Sequence, residues 1–373
     1  MILSCDVGSL PPRIDADVIR RGAKASKTVI SLLKSGDKSD PSKAFEDEVV
    51  GAFIDKLRAG IDIPNYPQFR DMNEMFFDLL RGPEKTSAGY LSTGGVRAES
   101  GASVPEVDAL RGNASKIADS AGLDEFRLKV CVTGPYTLAS FFQHRDAGLF
   151  DDLGRALAEI ASKSMFKSKR GGVSLLFIDE PVLGFMNDPL LDYGSPARES
   201  LRRAWENICM VASSMNVRTG IHLHDTSDNL FWEVEHLNIV ESHVNDPLYT
   251  SESTRDQLRK RDKLLKASVA VTLFDDLIAS TIKETEKDSN VQQRVGEKWS
   301  DIRRGLVDPL TFLEGSELMS KRLQRIIKSF GAEYVQYAGP ECGLMSHPGY
   351  DCAMEYLRRV GDTVRKFNVE RSS

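Results

Sequence analysis

Three of the six histidines, His222, His224 and His243, close two neighbouring β-rich runs, and Glu241 stands two residues before the last of them. Side chains alternate in direction along a strand, so His222 and His224 can point the same way, with His224 nearer the mouth. Cys342 follows a later run, in Pro340-Glu341-Cys342-Gly343. An imidazole, a carboxylate and a thiolate brought together would suit zinc, which favours borderline nitrogen and sulfur donors. His224, Glu241 and Cys342 are therefore the expected metal ligands, with His222 a supporting or core residue. Three protein ligands leave a fourth position for substrate, and a thiol bound there loses its proton near neutral pH. The plainer alternative is a hydrogen-bonded strand-end histidine and a cysteine that behaves as a small hydrophobe.

Such a site needs a scaffold that gathers strand ends. Short β-rich runs at 2–7, 60–64, 127–133, 174–179, 218–223, 237–242, 264–272 and 333–337 alternate with amphipathic stretches such as 201–215 and 318–330. Several runs are almost continuously apolar, as in strands buried on both faces. Eight strand-helix repeats predict a parallel (β/α)8 TIM barrel, with a doubly wound open sheet as the alternative. Chemistry in such a barrel gathers at the C-terminal strand ends. Those ends here carry Gly8-Ser9, Gln68, Thr133-Gly134-Pro135, Asp179-Glu180-Pro181, His222 to Thr226, Glu241 to His243 and Glu341-Cys342. Residues 90–97 predict a small hairpin insertion between strands two and three, turning at Gly94-Gly95. Residues 284–304 are highly charged and read as an exposed helix or excursion, and residues 1–373 read as one catalytic domain.

Composition narrows the function. A formal charge of -6 without a phosphate-neutralising basic stretch argues against a nucleic-acid partner. No run approaches the ~18 apolar residues of a membrane span. The N-terminal residues read as a strand rather than a signal peptide. Five cysteines (5, 131, 209, 342 and 352) without a CxxC pair suit a reducing cytoplasm.

Taken in order, Val7-Gly8-Ser9-Leu10-Pro11, Thr133-Gly134-Pro135, Ile178-Asp179-Glu180-Pro181, Ile221-His222-Leu223-His224, Glu241 and Pro340-Glu341-Cys342-Gly343-Leu344 resemble cobalamin-independent methionine synthase. The likeness is to short, single-barrel forms that match that enzyme's catalytic C-terminal half. Residues 133–138 also resemble the uroporphyrinogen-decarboxylase-like methyltransferases. The resemblance implies a zinc site at His224, Glu241 and Cys342, with a further cysteine where this chain has Thr226. A threonine hydroxyl is a poor zinc ligand, so that bond is expected to be missing or replaced, Asp225 being the nearest substitute. It implies that Gly8 and Ser9 meet the substrate carboxylate and that Asp179 holds its amino group. Glu180 stands beside Asp179 as a further substrate contact, and Gln68 falls where the family has a glutamate. Asp179 and His224 are the expected catalytic residues.

The implied reaction is methyl transfer to a zinc-activated thiol, homocysteine above all, from a methylcorrinoid protein or a methylated pterin. Rivals are an epoxide:thiol transferase-like enzyme and a non-catalytic paralogue that binds a corrinoid protein or a thiol.

Overall fold

The computed structural model describes residues 1–26, 40–185, 187–285 and 290–372. Its centre is a parallel seven-stranded sheet: β1 (Leu3–Ser4), β2 (Phe126–Thr133), β3 (Gly171–Glu180), β4 (Arg218–Leu223), β5 (Ile239–Glu241), β6 (Leu264–Ala270) and β7 (Val335–Pro340). The order is β1-β7-β6-β5-β4-β3-β2, so chain neighbours are sheet neighbours except where β1 joins β7. Helices cover the outer face, and the apolar run Leu175 to Ile178 on β3 is wholly buried, as covered parallel strands require.

The expected second strand takes a looser form. Residues 61–66 run between β1 and β2 and touch both through single parallel bridges, Cys5 with Ile63 and Asn65 with Lys129. Ile63 N donates to Ser4 O at 2.9 Å, and Lys129 N donates to Pro64 O at 2.8 Å. Pro64 and Pro67 have no N–H to give, so a continuous ladder cannot form there. The expected turn at Gly94-Gly95 is corrected. The antiparallel ladder pairs Glu84–Thr86 with Gly89–Leu91, turning at Ser87-Ala88, while Leu80–Arg81 pairs with Arg97–Ala98. Gly94 and Gly95 lie in the loop between those ladders. The charged stretch contributes a helix over Val291–Arg303, and its residues 286–289 lie outside the described residues.

Two helices position the chemistry. α1 (Pro135–Ala139) starts directly after β2, with Pro135 at a position where no N–H is needed. α2 (Pro196–Ser214) is capped by Ser195, which accepts from Arg198 N. Its inner face, Leu201, Ala204, Trp205, Ile208 and Ala212, is buried, each larger apolar side chain contributing roughly 1.5–3 kcal/mol. The polar interior of the sheet is paired with equal care. Lys56 is wholly buried and its Nζ donates to Asp6 Oδ2 (2.7 Å), Gly8 O and Asn65 O, so one ammonium group ties two strand-end loops together. Among the described residues no helix is long and apolar enough to cross a membrane.

Candidate active site

β4 ends at Leu223, with His222 on the strand and His224 just beyond it, on the same face. β5 delivers Glu241 in register with His222, and His243 follows two residues later. The turn after β7 brings Cys342 to the same place. The donor atoms of His222, His224, His243 and Cys342 all lie within 4.8 Å of one another. Cys342 Sγ is 3.6 Å from His224 Nε2, and the His224 and His243 rings are 4.1 Å apart, centre to centre. Burial pushes the Cys342 thiol up, but the three imidazoles outweigh it and hold the group well below the ordinary thiol value. Burial pulls His222 down, yet Cys342 and Glu241 carry it up to about 10. His222 Nε2 and His243 Nε2 are buried and accept or donate no hydrogen bond. Buried polar atoms are rarely left without a partner, so three nitrogens and a sulfur in this arrangement fit a divalent cation.

The expected ligand Glu241 stands outside that group. Its carboxylate is wholly buried, with Oε1 2.9 Å from His222 Nδ1 and 3.6 Å from Lys129 Nζ, and Oε2 against Lys266 Nζ. These are charge contacts rather than aligned hydrogen bonds. Lys129 and Lys266 together hold the carboxyl far below its usual range against the opposing effect of burial. Lys266 also donates to Pro340 O at 2.9 Å, two residues before Cys342.

A cavity of about 420 Å³ opens beside the cluster, lined by Ser9, Gln68, Asp179, His222, His224 and Cys342. Asp179 is buried, and its Oδ1 has no hydrogen-bond partner. Burial pushes this carboxyl up to about 6, against the pull of His222 and Lys129. Gly8 adopts φ +130°, and a Cβ there would stand 2.2 Å from Asn65 Nδ2. Gly343 is equally constrained, since a Cβ would come within 1.8 Å of Ser9 Oγ. A second cavity of about 570 Å³, lined by Asp276, Lys283 and Arg322 among others, also reaches His224 and His243.

No family model matches the chain. A methionine synthase of Sulfurisphaera tokodaii is 29% identical over 170 residues, which is 42% of this chain and 48% of that protein. A methionine synthase of Thermococcus kodakarensis is 28% identical over 196 residues, 49% of this chain and 52% of that protein. The matches thus span about half the length of these curated relatives. A B12-independent methionine synthase from Shewanella sp. W3-18-1, solved with selenomethionine, superposes with a TM-score of 0.59 over 99% of both chains at 14% identity. That agreement concerns the fold.

Over about half its length the chain is similar to methionine synthases.

Within this fold the remaining expected residues separate clearly. Thr226 is engaged by Asp246, its N and Oγ1 both donating to that carboxylate. Asp225 does not replace it, because its Oδ1 accepts from Ser227 N and the residue stands outside the four-donor group. Gln68 lines the cavity, but its Nε2 is engaged by Tyr66 Oη (3.0 Å) and Cys131 Sγ (2.9 Å). Glu180 faces the opposite way from Asp179. Its oxygens accept from Tyr136 N, Thr137 N, Thr137 Oγ1 and Trp205 Nε1 at 2.7–2.9 Å, anchoring the start of α1 to α2. Gly134 is needed there, since a Cβ would lie 2.1 Å from the Glu180 carboxyl carbon. Sequence reasoning underweighted His222 and His243. The signal was present in their strand-end positions, but only neighbouring strands could show which nitrogens converge.

Proposed function

We propose that this chain transfers a methyl group to a thiol, with homocysteine as acceptor and methionine as product. The observation that carries the reading is the convergence of Cys342 with three imidazoles, of which His222 and His224 line, with Cys342, a cavity in which Asp179 presents a buried, unpaired carboxylate oxygen. Zinc at the cluster would supply the positive centre that keeps a bound thiol deprotonated. Asp179 is suited to the substrate ammonium group, while Ser9 and the backbone at Gly8 are suited to its carboxylate. His224 lines both cavities and so stands between the thiol side and the side from which a methyl donor would approach. In the transfer the sulfur–carbon bond forms as the bond from methyl to donor breaks, and positioning of the two partners lowers the barrier. The donor is a methylcorrinoid protein or a methylated pterin. The scaffold in this reading is a barrel whose eighth stave is the segment 61–66.

The test is to incubate zinc-loaded protein with homocysteine and either methylcobalamin or methyltetrahydrofolate, and to measure methionine by mass spectrometry. Methionine formation that depends on His224 and Cys342 supports the proposal. A metal-loaded protein that binds homocysteine but yields no methionine from either donor would refute it.

A further inference from the structure

Four potential donors and one carboxylate crowd the end of β4, β5 and β7, and their surroundings distinguish their roles. Glu241 has no free side. His222 Nδ1 lies 2.9 Å from Oε1, Lys129 Nζ is 3.6 Å from the same oxygen, and Lys266 Nζ sits against Oε2. All three partners are buried, Lys129 and Lys266 completely. Turning the carboxylate towards a metal would leave two buried ammonium groups short of their counter-charge, a costly state in a water-free interior. The same contact decides which nitrogen of His222 is available. Both ring nitrogens are buried without an aligned hydrogen bond, but Nδ1 lies in charge contact with Glu241, which leaves Nε2 for the cluster. An imidazole held on one nitrogen by a carboxylate and offering the other is the arrangement that orients a metal-binding histidine. His243 Nε2 is likewise buried and unpartnered, within the same 4.8 Å group as His224 and Cys342.

We infer that the metal of this site is held by three imidazoles and one thiolate, from His222, His224, His243 and Cys342, with Glu241 as the positioning residue behind His222. The inference rests on the metal reading proposed above and adds its donor set. One thiolate among neutral imidazoles leaves a divalent ion with net positive charge, which an incoming substrate thiolate would neutralise by entering as a fifth donor or by replacing one of the four. The mixture of nitrogen and a single sulfur favours a borderline divalent ion such as zinc or cobalt(II) over calcium or magnesium. Lys129 and Lys266 act one step further out, fixing Glu241, and Lys266 also anchors the carbonyl of Pro340 on the Cys342 turn.

The experiment is X-ray absorption of the zinc-loaded full chain, paired with the optical spectrum of the cobalt(II) form. One sulfur and three imidazoles around zinc are expected, with a thiolate-to-cobalt band that disappears in Cys342→Ser. His243→Ala is expected to weaken metal binding tenfold or more. Glu241→Gln should keep the one-sulfur, three-imidazole shell with an affinity lowered about 10–100-fold. Two sulfurs, fewer than three imidazoles, or a carboxylate oxygen that vanishes in Glu241→Gln would overturn the assignment. Failure to bind metal at all would overturn it together with the metal reading. The expected shell in a protein that does not methylate thiols would overturn the proposed function alone.

Discussion

Adjacent carboxylates on β3 provide the sharpest test of the site geometry, because Asp179 and Glu180 should fail in different ways. Glu180→Gln keeps the shape but replaces one acceptor oxygen by an NH2 group. Whichever way the amide turns, that group meets N–H donors: Thr137 N on one side, or Tyr136 N and Trp205 Nε1 on the other. Thr137 Oγ1 can reverse its hydroxyl and accept, but the backbone and indole donors cannot. Burial pushes Glu180 up to about 7, so the comparison belongs at pH 8, where the native carboxylate is ionised. Hydrogen bonds to a charged group contribute about 1.5–3 kcal/mol, and a buried donor left unpaired adds a penalty, so a net loss of about 3 kcal/mol is expected. At roughly 2 cal/mol/K per residue of unfolding entropy over 373 residues, that corresponds to about 4 °C in Tm. Thermal unfolding followed by circular dichroism reads the stability, and calorimetry reads methionine binding to the metal-loaded variant. Binding should stay within about twofold of the parent protein. Unchanged Tm with lost methionine affinity would refute the assignment of Glu180 to the α1–α2 anchor.

Two further expectations concern pH. In the proposed reading Asp179 pairs with a substrate ammonium only when ionised, so methionine affinity should fall about tenfold per pH unit below about 6. Asp179→Asn should bind weakly and without that slope, and a slope that survives the substitution would show another group at work. His347 is buried against Phe274 and Tyr356, and burial holds its imidazole down at about 4. Its folded value is depressed from about 6.5, so the unfolded chain binds the extra proton. The neutral ring's contribution is therefore complete above pH 6.5 and is lost as pH falls from 6.5 towards 4, amounting to about 3 kcal/mol. Urea unfolding across that range should show a steeper loss in the parent protein than in His347→Gln, and parallel curves would contradict the buried-neutral reading.

Much of the scaffold was legible because parallel strands covered on both faces must be apolar, and runs such as Leu175 to Ile178 announce themselves. The strand-end positions of Asp179, His222, His224, Glu241 and Cys342 were legible for the same reason. Alternation along β4 also places His222 and His224 on one face without any tertiary information. That rule separates Asp179 from Glu180 as well, since consecutive strand residues face opposite ways, and the structure turns them to the cavity and to α1. What one strand could not say was which of two same-facing neighbours stands with the other potential donors. Glu241 and His243 are two residues apart, so periodicity treats them alike. The choice comes from Lys129 on β2 and Lys266 on β6, whose buried charges hold Glu241 behind His222 and leave His243 with the other donors. Segment 61–66 was likewise decided in three dimensions, where its prolines limit it to single bridges with β1 and β2. Periodicity is a property of one chain segment, whereas the pairing of buried charges belongs to the strands that meet around it.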